Sequence, residues 1–183
     1  AAPQLTKRDD NIGWSNKKFI DRIRSKPTKG TINFLLEQIE LLINSIRFDD
    51  FLAERLIKPS DLRVPNQQAI EELELKAKKW KKLWEESPEK RKDTEDPFLA
   101  SETYLFKSKR ASELAFLIKS KSALMSLTKS KNEIKSFLDS KENLSTLNGI
   151  TKRIRSIKLG INIADLTVCG ATVSYTHLTL PTT

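Results

Sequence analysis

Cysteine and histidine are almost missing from this 183-residue chain, which holds one of each, Cys169 and His177. A lone cysteine excludes an internal disulfide and points to a reducing compartment. The same scarcity leaves no Cys/His cluster, so the chain by itself builds no zinc site. Glycine is sparse too: the five residues at 13, 30, 149, 160 and 170 are too scattered for a phosphate-cradling loop. Every strongly apolar run is far shorter than the roughly 20 residues of a membrane span. Residues 1–10 lack the apolar core of a signal peptide. The expectation is a soluble, cytoplasmic protein with no cofactor and no membrane partner.

What is abundant is charge. Lys and Arg number 33 against 24 Asp and Glu, giving a formal +9 and an isoelectric point near 9.6. Such a balance favours a polyanionic partner. Lys, Asn, Ile and Ser also rise together here, as they do when A/T-rich codons dominate, so codon usage is the competing source of the basicity. The 38% hydrophobic content suffices for a core.

Apolar spacing predicts a mainly α fold of about five or six helices followed by one strand of a sheet completed elsewhere. Residues 1–30, with Pro3, Gly13, Pro27 and Gly30, read as a loosely ordered lead-in in which Trp14 and Phe19–Ile20 start a short helix. A helical subdomain over 31–86 starts with Ile32, Leu35, Ile39, Leu42, Ile43 and Ile46 and runs on through Phe51 and Leu56 as one long helix. It stops before Pro59, because a residue preceding proline avoids the helical region. Residues 57–66 read as a loop, and Asn66 as the N-cap of a helix whose stripe is Ile70, Leu73, Ala77, Trp80 and Trp84. Lysines 76, 78, 79, 81 and 82 surround the two tryptophans. Base stacking would use such rings, but their place on the apolar stripe favours core packing. Residues 87–97 (SPEKRKDTEDP) form a charged linker. A basic helical subdomain over 98–160 follows, with Ser130 and Glu133 spaced as a capping box. Residues 161–171 begin a truncated C-terminal domain, in which Ile161–Cys169 is β-branched and strand-like.

The chemistry of catalysis is missing from this pattern. A nucleophilic Ser or Cys needs a neighbouring base, usually His, and none stands in the sequence before residue 172. Asp165, inside the expected strand, is open to three readings: an ion pair with nearby Lys or Arg, exposure at the strand end, or a catalytic or metal role. The chain therefore presents no catalytic constellation and leaves enzyme status open. The functional signal is positive charge: Lys152, Arg153, Arg155 and Lys158 on one helix, then Lys107, Lys109 and Arg110 on another. Converged on one face, they would neutralise phosphates and give salt-dependent nucleic-acid binding.

The tail is a different text. Residues 173–183 (VSYTHLTLPTT) contain no charged side chain. They read back in frame as the transposase end and adapter used to fragment DNA for sequencing. The expectation is that natural sequence ends near Ala171 and continues in residues not present, and that His177 has no catalytic standing.

Tyr104–Ile118 (YLFKSKRASELAFLI) and Gly149–Ala171 (GITKRIRSIKLGINIADLTVCGA) resemble the DruA-like family of Druantia-type anti-phage defence systems, whose relatives also accompany mobile elements. The resemblance rests on the KRA..LA.L pattern at Lys109–Leu117 and the NIADLTVCGA run at Asn162–Ala171. It implies a defence role with DNA as target, a possible defence-system partner subunit, and further chain after Ala171. Three functions remain open at this point. One is a DNA-associated defence protein whose basic helical half contacts the nucleic-acid backbone. Another is the N-terminal half of a transposase-like or nuclease-like enzyme. The third is a helical scaffold that docks a partner subunit.

Overall fold

The computed structural model describes residues 15–87, 103–127, 130–141 and 143–157. Regular structure among them is helical throughout, in keeping with the mainly α expectation. The strand expected at Ile161–Cys169, Asp165, Lys158 and most of the charged linker lie outside the described residues. The chain divides into two compact units, a larger one of Lys26–Ser140 and a smaller one of Ala1–Ser25 with Lys141–Thr183.

The smaller unit contains α1 (Asn16–Arg24) and, at its other end of the sequence, α8 (residues 143–157). The larger unit holds α2 (Lys29–Asn44), α3 (Asp49–Ala53), α4 (Pro59–Arg63), α5 (Gln67–Glu86), α6 (Tyr104–Met125) and α7 (Lys131–Asp139). The lead-in over 1–30 contains the short helix expected around Phe19–Ile20, here α1, and the first two residues of α2.

The Thr28 hydroxyl accepts the Thr31 amide at 3.2 Å and starts α2, which buries Ile32, Leu35, Ile39, Leu42 and Ile43. The expected run to Leu56 breaks at Asn44. The Ser45 amide donates to the carbonyls of Leu41 and Leu42 at 3.1 and 3.2 Å, and its hydroxyl to Leu42 O at 2.6 Å. The break has a packing reason. In an uninterrupted helix Phe51 would sit about 80° around the axis from Ile43 and about 120° from Ile39, off the buried face. The turn instead sends its ring inward, fully buried and stacked on Trp80 with centroids 5.5 Å apart.

A Schellman closure then ends α3. The Arg55 amide bonds Leu52 O at 3.0 Å, the Leu56 amide bonds Phe51 O at 2.9 Å, and Arg55 takes the left-handed φ of 57°. Leu56 is buried beyond it. The expected loop over 57–66 contains the short α4 instead. Pro59 opens it at a position where no amide is needed, while the buried Asp61 carboxylate accepts the Lys58 amide at 2.8 Å. Asn66 caps α5 as its sequence suggested, accepting the Gln68 amide at 3.1 Å. Ile70, Leu73, Ala77 and Trp80 form the buried stripe and Trp84 is half-buried, so Trp80 is a core residue.

The centre of the larger unit is α6. Ala111, Leu114, Ala115, Leu117, Ile118 and Leu124 are buried, and Ser108, Ser120 and Lys121 are buried with them, which leaves little of the helix for solvent. It packs most extensively on α5, where the Ser108 hydroxyl donates to Ala77 O at 2.8 Å. Two small residues at that point let the backbones approach. Lys121–Glu40, Arg110–Asp50 and Lys107–Glu54 run in opposite order along their two segments, so α6 lies antiparallel to 40–54.

This packing joins the residues expected as separate subdomains. α5 from 31–86 and α6 from 98–160 share one core, whereas α8 belongs to the smaller unit. In α7, Ile134 and Leu138 are buried and Phe137 is half-buried. Ser130 stands at its N-cap, but the hydroxyl makes no capping hydrogen bond, so the capping box suggested by Ser130 and Glu133 is not formed.

Candidate nucleic-acid interface

In α8, Leu147, Ile150, Thr151 and Ile154 recur at helical spacing and are all buried. The Thr151 hydroxyl returns to Leu147 O at 2.8 Å, satisfying a polar group inside that apolar face. Helical geometry then places Lys152 on the far side, about 140° around the axis from Leu147, with Arg155 about 60° from Lys152 and Arg153 about 100°. Lys152 is exposed, and Arg153 and Arg155 are half-buried. The Arg153 guanidinium lies back along the helix and donates to Gly149 O at 3.1 Å.

α1 adds charge that the sequence reading missed. Ser15 caps it by accepting the Lys18 amide at 3.3 Å, and Ile20 and Ile23 form its buried side. Asn16 Nδ2 donates to Asn148 Oδ1 at 2.9 Å, tying α1 to α8. Lys17, Lys18 and Arg22 are exposed, and Arg22 and Arg24 lie in the last turn, where cations complement the helix dipole. The described part of this unit holds eight cations: Lys17, Lys18, Arg22, Arg24, Lys141, Lys152, Arg153 and Arg155. Asp21 is its one described acid. Lys18, Arg24, Arg153 and Arg155 are each also held by an interaction within the protein. Lys17, Arg22 and Lys152 therefore present the charge most directly.

A cap at Ser15 followed by Phe19, Ile20 and Ile23 was the available signal for α1.

The second set of predicted contacts lies in the larger unit and divides among different uses. Arg110 Nη1 and Nη2 grip the Asp50 carboxylate at 2.9 and 2.7 Å. Its Nη1 also donates to Arg47 O, and the guanidinium lies 4.9 Å from the Phe51 ring centroid. With 10% of its side chain exposed, Arg110 is committed to the fold. The Lys107 amine stands 3.9 Å from Glu54, and Lys109 is exposed. Lysines 78, 79, 81 and 82 on α5 are exposed but bracketed by Glu71, Glu74, Glu85 and Glu86 on the same outer surface. Base stacking is not available to Trp80, whose ring is in the core.

Among the described residues no acidic, Cys or His cluster could hold a metal ion, and no helix is long and apolar enough to cross a membrane. No protein-family model, curated protein or solved structure matches the chain.

Proposed function

We propose that the smaller unit binds the sugar–phosphate backbone of a nucleic acid, and that the protein is a DNA-associated component of anti-phage defence, the role its DruA-like resemblance implies. The observation that carries the binding reading is the imbalance of eight cations to one acid among the described residues of this unit. Lysine and arginine at such density attract phosphates and release the counterions condensed on them, which favours association without reading sequence. Neither helix offers a cluster of groups for bond cleavage, so the reading is of a binding surface.

Fluorescence anisotropy with a labelled DNA duplex, between about 50 and 200 mM salt, tests it directly. The logarithm of affinity should fall linearly with that of salt. Reversal at Lys152 and Arg153 (K152E/R153E) should weaken binding and flatten the slope by about one for each phosphate that is no longer neutralised. Unchanged affinity and slope would remove the proposal. Repeating the titration with a single strand and with RNA assigns the nucleic-acid type.

A further inference from the structure

Lys121 is a buried cation with an exposed partner. Its side chain, 6% exposed, runs from α6 to donate to Leu62 O at 2.8 Å and to pair with Glu40 Oε1 at 3.1 Å, while the Glu40 side chain is 58% exposed. The ammonium has three protons, so one remains beyond these two contacts. A desolvated charge is strongly favoured by a close anion, yet its carboxylate partner here is largely in water, where pairing is weak.

This amine borders an open depression of about 320 Å³. Arg63 lines the same space, is exposed and enters none of the ion pairs among the described residues. Asp61, the acid nearest it in sequence, is occupied by the Lys58 amide and, at 3.4 Å, by the Asn66 side chain. Ile43, Leu62 and Pro59 supply an apolar wall, and Asn44 a polar edge. Two cations, one displaceable carboxylate and an apolar wall form an asymmetric site. The volume lies at the lower end of the range for small-molecule pockets.

We infer that this depression binds a small organic phosphomonoester. Its phosphate replaces Glu40 as the partner of Lys121 and is held from the other side by Arg63, while its body rests on Ile43, Leu62 and Pro59. The released Glu40 carboxylate and Asn44 are then available to hydroxyl or amino groups of the ligand. The inference concerns the larger unit alone and is independent of the nucleic-acid reading.

Calorimetric titration of the full chain with adenosine 5′-monophosphate, inorganic phosphate and benzoate tests it. The nucleotide should bind more tightly than phosphate, because only it uses the apolar wall, and more tightly than benzoate, whose carboxylate carries less charge. Arg63→Ala should weaken nucleotide binding about tenfold. Glu40→Gln, which removes the competing anion, should strengthen it severalfold. Both residues are surface positions, so the fold should survive, whereas Lys121→Met could fail for structural reasons. Lys131→Glu, at an exposed position of α7 in neither proposed site, should leave nucleotide affinity unchanged, separating this site from general charge attraction. No binding, indifference to Arg63→Ala, weaker binding in Glu40→Gln, or tighter binding of benzoate would each overturn the inference.

Discussion

Arg110 and Lys152 are both cations on helices, both read from sequence as phosphate contacts, and the structure gives them opposite surroundings. Arg110 is enclosed by Asp50, Arg47 O and the Phe51 ring. Lys152 stands exposed on the outer side of α8. The contrast extends to their units. In the larger one, cations join helices: Lys121 ties α6 to α2 and α4, and Lys107 reaches Glu54. In the smaller one, Asp21 is the single described acid among eight cations. Net charge thus says little about an interface until each cation's partner is known.

The comparison can be broken first at the junction that holds the larger unit together. Trp80→Ala removes the ring stacked on Phe51 and should cost about 3–5 kcal/mol, read from the shift of a urea midpoint at constant m. A base-stacking Trp80 would instead lose nucleic-acid affinity with little change in stability. Asp50→Ala should come next, at about 3 kcal/mol, because it strands a nearly buried guanidinium. Arg110→Met should cost less than Asp50→Ala, since it leaves no uncompensated buried cation. If the order is reversed, Arg110 is not held as the geometry indicates.

Binding sharpens the same contrast. Reversing Lys17 and Lys152 together should lower DNA affinity by at least about tenfold at low salt and reduce the salt slope by about two. Reversing Lys78 and Lys82 on α5, whose neighbours include Glu85 and Glu86, should change it far less. Equal losses would mean that net charge, not its arrangement, governs binding.

The legible part of this fold was its periodicity. Ile32 to Ile43 and Ile70 to Trp80 each declared a buried face, and Asn66 declared a cap. Breaks and partners were less legible. Nothing in the run from Ile39 to Leu56 marks a stop at Asn44, because the reason for it is Phe51 meeting Trp80, a contact between residues far apart in sequence. Burial of Arg110 has the same origin, with Asp50 sixty positions away. α1 was legible as a short helix at Phe19–Ile20 but its extent was not, because two turns of helix between a polar start and a proline carry little periodic signal. For the candidate site, the α8 cations were legible as a cluster, while α1's share depended on knowing which of its cations face solvent.

The smallest expected effect concerns Arg55, which carries no part of either proposed site. Its φ of 57° satisfies the Schellman closure of α3, and the geometry suits glycine, because a left-handed conformation presses a side chain's Cβ against the backbone. Arg55→Gly relieves that strain but also frees the unfolded chain, so the two terms oppose each other. Strain relief at this position is worth about 1–2 kcal/mol and the added freedom of glycine costs about 0.5–1 kcal/mol. A net gain of up to about 1.5 kcal/mol should follow, visible as a higher urea midpoint with DNA affinity unchanged. Arg55→Ala, which keeps the Cβ, should show no such gain. If glycine destabilises instead, the arginine side chain contributes to the closure of α3, and the larger unit would use one more of its cations to hold the fold.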